Sequence, residues 1–474
     1  MVYLIINFHR FNPIQPNPMS TLRVFLLTLL TTTAITHGQK FDTIIPEIHP
    51  KLTYTTCSSG PNGTCTSQHR SIVLDAEWRW LHPPGGYTNC YSGTYVYWDK
   101  ALCPDPVTCA QNCALEGPGY SYIGVTTPSA SPNNDAVKLQ WRTPGDYHIN
   151  LGSRVFLLDD SDAKYEAFDL RNKEFTFTVD TSQLPCGVNG ALYFVEMPLD
   201  GGVQASGGLN EAGARYGTGY CDSTCPRSLR FIDGKANVED WTPSQMRDFI
   251  GYGRYGSCCT QMSIWEANKH SAVFAVHTCR PGQTVCDGTS CKDVCDSDGC
   301  DFNSYRLGNT SFLGLGEDKV VDTNRKVTVV TQFLTSEKDE GALREIRRMY
   351  IQDGRIIHNS HAFEQYDSIT DEFCAAQKEV FGNGSPNDLG GLAAIGEAFK
   401  RGMVLTMSIW DDFDRETGTG WMDGVFPADG DLSKPGVVRG PCVYQGGGEY
   451  IDGSVVFSDI RVGPIGSTYG HLVD

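Results

Sequence analysis

One short segment near the middle of the chain carries side chains whose types and spacing could do acid–base chemistry. It reads Gln261-Met-Ser263-Ile-Trp-Glu266, and His277 follows soon after. Side chains two residues apart on a strand share a face, so Gln261 and Ser263 point the same way. Glu266 would face away unless one extra residue is accommodated by a β-bulge, a feature that often re-aims side chains beside active sites. The segment predicts a bulged strand lining a cleft, with one carboxylate and two neutral polar side chains.

The elements around this segment are predicted to be mostly strands. Runs rich in β-branched and aromatic residues are bounded by Gly, Pro, Asn or Asp turns. These runs are Ser71–Leu74, Arg154–Leu158, Glu174–Val179, Ala191–Val195, Lys326–Phe333, Arg347–Ile351, Val404–Ile409 and Ser454–Val462. The best helical patterns are Thr370–Phe381 and Leu389–Arg401. Strands without regular intervening helices predict an antiparallel sandwich or barrel, an all-β fold with few short helices.

Composition excludes some classes of function. The chain has 474 residues, of which 11% are aromatic and 20% charged, which is too aromatic for a disordered protein. The formal net charge is −18, and no long basic run is present. We therefore expect no nucleic-acid partner.

The N-terminus predicts a targeting signal. Arg23 precedes the apolar run Val24–Leu30, and a small-residue region follows near Gly38. We expect residues 1–38 to be an upstream extension and signal peptide, with translation starting at Met1 or Met19. No later stretch reaches the length of a bilayer span. We expect a secreted, extracellular monomer without membrane contact, and one domain over residues 39–474 with no appended binding module.

The cysteines predict disulfide bonds. The chain has 18 cysteines, and a secreted protein of this kind could form nine bridges. A zinc site formed by four thiolates is the alternative, but the oxidising secretory route favours bridges, so we expect no metal and no cofactor. The residues of that alternative are Cys221, Cys225, Cys258 and Cys259. Glycosylation is expected at Asn62 and Asn309, and less so at Asn383, because Pro386 follows it.

Four tryptophans lie at predicted strand ends or in loops, where indole faces could stack on sugar rings. They are Trp78, Trp80, Trp410 and Trp421. Packing in the core is the alternative for each of them, and only their position relative to the cleft can distinguish the two roles.

Several long motifs in order resemble glycoside hydrolase family 7, the family of cellobiohydrolases and endoglucanases that act on β-1,4-glucan. The motifs are Asp75-Ala-Glu-Trp78-Arg-Trp80, Leu184-Pro-Cys-Gly-Val-Asn189-Gly-Ala-Leu-Tyr193-Phe-Val, Tyr216-Gly-Thr-Gly-Tyr220-Cys-Asp222, Cys295-Asp-Ser-Asp298-Gly-Cys-Asp301-Phe-Asn-Ser-Tyr-Arg306-Leu-Gly-Asn, Met407-Ser-Ile-Trp410-Asp-Asp and Gly463-Pro-Ile-Gly-Ser. The resemblance extends from about Leu52 to Thr468. It implies a β-jelly-roll sandwich of two large curved antiparallel sheets, with long loops forming a cleft that binds cellulose chains or cello-oligosaccharides.

The resemblance also implies a complete disulfide pairing. The implied pairs are Cys57–Cys65, Cys90–Cys113, Cys103–Cys109, Cys186–Cys442, Cys221–Cys259, Cys225–Cys258, Cys279–Cys295, Cys286–Cys291 and Cys300–Cys374. Every cysteine is used once, so no free thiol is expected.

The catalytic motif of the family is Glu-x-Asp-x-x-Glu, and the matching residues here are Gln261, Ser263 and Glu266. The resemblance implies that Glu266 is the acid/base. It places Gln261 where the family has its nucleophile, and Ser263 where it has the helping Asp. A retaining glycosidase needs a nucleophilic carboxylate, and an amide is a far poorer nucleophile. Asp222 is the nearest candidate for a surrogate base, and His277 matches a histidine beside the acid/base.

More of the family's substrate-binding residues than of its catalytic residues are matched in this sequence. The four tryptophans match platforms for glucose units along the cleft. The polar or stacking groups around the reaction centre and product side are matched by Tyr193, Tyr220, Asp298, Asp301, Arg306 and Arg439. Two loop lengths give conflicting indications of whether the cleft is open, as in endo-acting members, or enclosed, as in exo-acting ones. Only Lys292-Asp-Val separates Cys291 from Cys295, which implies an open cleft, whereas Glu416–Gly420 is longer than usual.

These observations leave three hypotheses. The first is an active β-1,4-glucanase that works through Glu266 and a surrogate group. The second is a secreted pseudoenzyme that binds glucan chains without cutting them. The third, a purely structural wall protein, would not need the matching Trp and Arg positions. On chemistry we favour binding with weak or absent hydrolysis.

Overall fold

Alternating apolar residues form the strands that make up most of the regular secondary structure, and the long strands form one connected system. The computed structural model describes residues 38–58, 64–93, 95–128, 134–145, 149–244, 250–337, 341–382, 389–411, 413–414, 419–443 and 452–473. Residues 1–37 of the predicted extension and signal peptide lie outside the described residues, as do Asn62, Asn383 and most of the Glu416–Gly420 insertion. Among the residues described, no helix has the length and apolar character needed to span a bilayer.

Seventeen strands make up the connected system. They are β1 (Lys51–Cys57), β2 (Cys65–Leu74), β3 (Val125–Thr126), β4 (Ala136–Gln140), β5 (Ser153–Leu158), β6 (Ala167–Phe168), β7 (Lys173–Asp180), β8 (Val188–Val195), β9 (Gln261–Ala267), β10 (Ala272–His277), β11 (Cys300–Asn303), β12 (Val327–Thr335), β13 (Leu343–Gln352), β14 (Arg355–His358), β15 (Ser368–Ile369), β16 (Met403–Asp411) and β17 (Ser454–Pro464). They overlap all eight strand runs that the sequence predicts.

The pairing order divides these strands into two large sheets. In the first sheet the hydrogen-bonded order is β11–β10–β9–β8–β16–β5–β2, and every pair is antiparallel. In the second sheet the order is β2–β1–β17–β7–β12–β13–β14, where only β1 and β17 are parallel. The last residues of β2 pair with β5 and the rest pair with β1, so this strand joins the sheets.

The two sheets pack face to face over a hydrophobic core. Alternate residues of β8 divide between two faces: Leu192 and Phe194 lie in the inter-sheet core, whereas Ala191 and Tyr193 pack on the opposite side. Aromatic contacts cross from one sheet to the other, for example between Phe175 and Phe194, whose ring centroids are 5.1 Å apart. The predicted all-β sandwich of large antiparallel sheets is therefore confirmed.

Short strand pairs and helices surround the sandwich. The further strands are Lys40–Phe41, Leu81–His82, Tyr91–Ser92, Tyr97–Trp98, Ala114–Leu115, Arg142–Pro144, Ile149–Leu151, Phe231–Ile232, Lys235–Ala236, Thr242–Pro243, Gly251–Tyr252, Tyr255–Cys258, Thr284–Asp287, Leu313–Gly314, Val321–Asp322, Phe413–Asp414 and Thr419–Gly420. The helices are α1 (Pro106–Asn112), α2 (Asp371–Phe381) and α3 (Gly391–Arg401), and short 3₁₀ turns cover Ala76–Trp78, Tyr120–Ile123, Ala214–Tyr216, Gly288–Asp293 and Gly470–Leu472.

Local capping explains where two of the helices begin. The hydroxyl of Thr370 accepts a hydrogen bond from the Phe373 amide, so α2 begins where the sequence predicts. Helix α1 is an addition to the prediction. The Asp105 side chain caps it, and Pro106 occupies its first turn, a favourable pairing at a helix start.

All nine implied disulfides are present. The four cysteines of the zinc alternative form two of these bridges, Cys221–Cys259 and Cys225–Cys258, so their sulfur atoms are not available as thiolate ligands. Bridges that close long loops are expected to stabilise the fold most, since they restrict the unfolded chain. Cys186–Cys442, with a sequence separation of 256, closes the longest loop.

Candidate active site

Strand β9 contains the predicted bulge. Its register shifts between Ser263 and Glu266 against β10, and at the matching place against β8. Consecutive side chains Ile264 and Trp265 both lie in the inter-sheet core. One extra residue is thereby absorbed, and Gln261, Ser263 and Glu266 all lie on the opposite face of the sheet. The prediction made from their spacing is confirmed.

A chain of hydrogen bonds connects the three polar side chains of β9. The amide oxygen of Gln261 accepts from the Ser223 hydroxyl at 3.0 Å, and its Nε2 donates to Ser263 Oγ at 2.9 Å. Ser263 Oγ in turn donates to Glu266 Oε1 at 2.6 Å. Asn189 Nδ2 donates to the other carboxylate oxygen at 3.0 Å. This hydrogen-bond chain contains one carboxylate, and each of its side chains is nearly or fully buried.

Burial is the largest influence on the Glu266 carboxyl, and it raises its pKa. Hydrogen bonds from Ser263 and Asn189 and the proximity of His277 act in the opposite direction, whereas the charge of Asp222 adds to the rise. The net effect is a raised pKa, so Glu266 retains its proton to a higher pH than an exposed glutamate. This property suits a general acid.

Cross-strand register places further candidates beside this chain. Ser263 lies opposite Tyr193 on one side and Ala275 on the other, and Ala275 lies opposite Asp301. His277 lies directly opposite Gln261. Residues opposite one another in antiparallel strands point to the same face, so these side chains form rows across the first sheet.

A buried arginine supports the bulge from the core side. The guanidinium of Arg348, on β13 of the second sheet, donates to the backbone carbonyl of Ile264 at 2.5 Å and to Thr331 Oγ1 at 3.1 Å. It also lies over the ring of Phe274, with 4.1 Å between Cζ and the ring centroid. Arg348 therefore crosses the sandwich to bond the residue that the bulge inserts.

Two tyrosines link Asp222 to the same face. The hydroxyls of Tyr193 and Tyr220 are 2.8 Å apart, and the Tyr220 hydroxyl donates to Asp222 Oδ2 at 2.7 Å. Burial raises the pKa of Tyr193 to about 12. Arg154 lies over the Tyr220 ring at 3.4 Å. Asp222 Oδ1 accepts from the amide and hydroxyl of Thr224, so both of its oxygens have protein donors.

The Asp301 carboxylate forms a buried ion pair with Arg306 and accepts a hydrogen bond from Gln377 at 2.8 Å. Arg306 also donates to the carbonyl of Gly436 at 3.0 Å. Asp298 is exposed on the loop before β11. The Arg439 guanidinium lies 4.8 Å from the centroid of the Phe426 ring. Arg306 is thus held within the protein, whereas Asp298 is accessible to a ligand.

The four tryptophans are all half-buried. Their exposure is therefore intermediate between that of a core residue and that of a ring fully available to stack on a sugar. Trp78 Nε1 donates to the Leu151 carbonyl at 3.2 Å, and Trp80 Nε1 donates to Asn89 Oδ1 at 2.6 Å. Trp410 lies opposite Asn189, the residue that donates to the acid/base candidate. Trp421 packs on the cluster of Val273, Ala275 and Met422, which is on the same face of the sheet.

The structure brings some predicted residues into direct connection with the β9 side chains. Hydrogen bonds or register join Gln261, Ser263 and Glu266 to Tyr193 and His277.

Other predicted residues lie further from this group. Tyr220 and Asp222 connect to it through the Tyr193 hydroxyl, and Asp301 connects through the row of Ala275. Trp78 and Trp80 bond segments of the chain outside β9.

Four residues with clear roles at this site are absent from the sequence prediction. Asn189 could have been found, because it lies four residues before Tyr193 on one strand and so shares its face. Arg154 could have been found in the same way, since it lies two and four residues before Phe156 and Leu158 on one strand and so shares their face. Ser223 and Arg348 gave no signal, because their roles arise from segments far apart in sequence.

Four clusters of potential metal ligands occur among the described residues. Three of the four ligand-like clusters among the described residues consist mainly of disulfide-bonded cysteines. The fourth is formed by Asp42, His82 and Glu116. There His82 Nε2 and Glu116 Oε2 bond each other at 3.0 Å, and backbone amides of Thr43 and Gly85 bond Asp42. These atoms already have partners.

The arrangement on β9 can hold or release a proton at Glu266, whereas the amide of Gln261 and the hydroxyl of Ser263 bond each other and their protein neighbours. Retaining glycoside hydrolysis requires a second carboxylate about 5–5.5 Å from the acid/base. The nearest neighbours of Glu266 in the hydrogen-bond chain are a hydroxyl and an amide.

Comparison with known proteins identifies the fold family. The sequence profile of Glycosyl hydrolase family 7 matches residues 41–469. A GH7 family cellobiohydrolase from Daphnia pulex is 43% identical over 91% of this chain and 100% of its own, with a TM-score of 0.83. A Melanocarpus albomyces cellobiohydrolase, solved with cellotetraose, is 37% identical over 91% and 100%, with a TM-score of 0.80.

The native endocellulase of Humicola insolens is also similar, with 36% identity over 91% of this chain and 100% of its own and a TM-score of 0.72. Cellobiohydrolases and an endocellulase are thus both among the similar structures. The profile match covers most of the chain, and the identities exceed 30% over nearly its whole length. This chain therefore belongs to glycosyl hydrolase family 7.

Proposed function

We propose that this protein is a secreted, glucan-binding member of its family in which hydrolysis is weak or absent. In this proposal Gln261 occupies the position of the nucleophile, Ser263 that of its helper, and Glu266 remains as the acid/base. The observation that carries the proposal is the hydrogen-bond chain from Ser223 through Gln261 and Ser263 to Glu266, in which only the last member can ionise at ordinary pH.

The chemistry of an amide at position 261 explains the expected loss of turnover. Retention requires a carboxylate that forms a glycosyl ester and stabilises an oxocarbenium-like transition state. The Gln261 amide carries no charge, and both of its ends are engaged, the oxygen by Ser223 and the nitrogen by Ser263. Attack by the amide oxygen on a sugar carbon would break its hydrogen bond with Ser223 and would form an unstable imidate.

Several side chains near Glu266 and along the same face support the proposed binding of glucan. The four half-buried tryptophans offer aromatic surface, and Tyr193 and Asp301 lie in the row that passes through Ser263. Gln261 and Ser263 are uncharged, which suits a neutral polymer, because contact with these two side chains does not require a charged group to be desolvated. The similarity to a cellobiohydrolase solved with cellotetraose agrees with a β-1,4-glucan as the ligand.

Calorimetric titration with cellohexaose, followed by chromatography of the recovered sugar, tests the proposal. We expect saturable binding and intact cellohexaose after hours of incubation. Absence of binding would contradict glucan recognition. Rapid conversion to shorter sugars would contradict the loss of hydrolysis.

An active glucanase is the second candidate, and the proximity of Asp222 to Glu266 favours it. Asp222 is close enough for its charge to raise the pKa of Glu266. Acting as a base would require Asp222 to give up a hydrogen bond from Tyr220 or Thr224, because both of its oxygens already accept from these residues. If this route operates, Asp222→Asn abolishes sugar release, whereas Tyr220→Phe increases it by freeing one carboxylate oxygen.

A further inference from the structure

The segment Pro83–Trp98 is unusual for an exposed part of an acidic protein. It contains no Asp, Glu, Lys, Arg or His, although 20% of the whole chain is Asp, Glu, Lys or Arg and the net charge is −18. Three of its tyrosines are among the exposed large hydrophobic side chains of the described protein, with Tyr87 76%, Tyr95 71% and Tyr97 53% exposed. We call these three side chains the tyrosine platform.

Packing beneath the platform holds it in place. The strands Tyr91–Ser92 and Tyr97–Trp98 form a hairpin, with Tyr91 and Trp98 buried. Trp241 packs edge-on against both buried rings, and its Nε1 donates to the carbonyl of Val96 at 3.1 Å. The Cys90–Cys113 bridge ties the start of the hairpin to the end of α1. The backbone that carries Tyr95 and Tyr97 is therefore anchored, although the rings themselves face solvent.

The exposed rings also have aromatic neighbours. Tyr95 and Tyr97 have centroids 6.2 Å apart and planes inclined by 26°. Tyr87 lies 6.2 Å from Trp80, with the planes inclined by 33°. Trp80 is held by Asn89 and stacks on His82 at 3.9 Å. Tyr87 of the platform therefore lies beside a tryptophan that the proposed function already assigns to glucan binding.

We propose that the tyrosine platform is a docking surface for the face of solid cellulose, next to the Trp80 end of the glucan-binding face. This inference rests on the proposed function, because its continuity with glucan binding passes through Trp80. Absence of charge favours a neutral polymer over nucleic acid, anionic lipid or a charged protein surface. Aromatic rings supply flat contact area at small entropic cost, and tyrosine hydroxyls can bond sugar hydroxyls.

Adsorption to microcrystalline cellulose, compared with cellohexaose titration in solution, tests the platform. For the triple variant Tyr87→Ala/Tyr95→Ala/Tyr97→Ala we expect adsorption to fall about tenfold or more, because three stacking contacts are lost. Cellohexaose affinity should stay within about twofold. The triple Tyr→Phe variant at these positions should keep most adsorption, and Ile48→Ala, at a residue 74% exposed outside the segment, should keep all of it.

The outcomes separate this inference from the proposed function. Equal adsorption by the Ala triple variant and the wild type would overturn the platform. A second result would also overturn the platform: the wild type sediments as a dimer, the Ala triple variant sediments as a monomer, and both adsorb equally. The three tyrosines would then form a self-association surface. Wild-type protein that adsorbs through the platform but does not bind cellohexaose would contradict the proposed function and support the platform.

Discussion

The Ser263 hydroxyl donates a 2.6 Å hydrogen bond to the carboxylate of Glu266, across the bulge of strand β9. A hydrogen bond to the charged form of an acid lowers its pKa, whereas a neighbouring carboxylate would raise it. Serine at this position therefore acts on Glu266 in the opposite direction to an aspartate. Burial still dominates, and the pKa of Glu266 is raised overall.

Removing the Ser263 hydroxyl should raise the pKa of Glu266 further. In Ser263→Ala the carboxylate loses a donor, and Gln261 Nε2 loses its acceptor. We expect the pKa of Glu266 to move upward, because the charged form loses a hydrogen bond that stabilises it. Carbon-13 NMR titration of labelled glutamate measures it, with Ser263→Thr as the control that retains a hydroxyl. An unchanged pKa would show that this hydrogen bond does not influence the carboxylate.

The raised pKa of Glu266 makes a pH-dependent contribution to stability. A carboxyl whose folded pKa exceeds its unfolded value of about 4.5 destabilises the fold as pH rises through the folded pKa. Below the unfolded pKa both states are protonated, and the penalty disappears. We expect Glu266→Gln to raise Tm at pH 8 and to leave it nearly unchanged at pH 4. Equal changes at both pH values would contradict the raised pKa.

Arg348 is expected to hold the bulge by bonding the Ile264 carbonyl. In Arg348→Met that buried carbonyl loses its partner, and the amide protons of β9 should exchange at least several-fold faster. Global stability is a poor readout, because removing the buried cation also removes its desolvation penalty. Arg347→Met is the matched control, since its side chain is 49% exposed and pairs with Glu345. Exchange on β9 that is the same in both variants would exclude this role.

Glu47 should sensitise the fold to acid. Burial favours its neutral form, but His49 and Arg79 outweigh burial and lower its pKa from 4.5 to about 2. A lowered folded pKa stabilises the fold above the unfolded pKa, and this contribution is lost as pH falls from about 4.5 through about 2. The shift corresponds to about 3 kcal/mol at most. Urea unfolding at pH 7 and pH 2 should show a smaller difference in Glu47→Gln than in the wild type.

Periodicity predicted the fold and the geometry of β9 because both depend on local alternation. Five positions separate Gln261 from Glu266, and a shared face requires one inserted residue, which Ile264 and Trp265 provide by both entering the core. The disulfide pairing followed from the family resemblance. Cysteine spacing alone does not determine which sulfur atoms meet.

Tertiary contacts explain what the sequence could not predict. Arg347 and Arg348 are adjacent and chemically alike, yet the first is exposed and the second crosses the core to Ile264. Alternation shows that they face opposite ways, but it does not reveal a carbonyl that needs a donor on another sheet. Ser223 and Gln261 likewise meet through a separation of 38 residues.

The most direct test of the account compares the rate of reducing-sugar release from cellohexaose by the wild type and by Gln261→Glu/Ser263→Asp. The double variant restores the two carboxylates of the family motif beside Glu266. By analogy with the loss of other catalytic nucleophiles, we predict that the wild type is at least about 10³-fold slower at equal cellohexaose affinity. Equal turnover by the two proteins would contradict the claim that this protein binds glucan without cutting it efficiently.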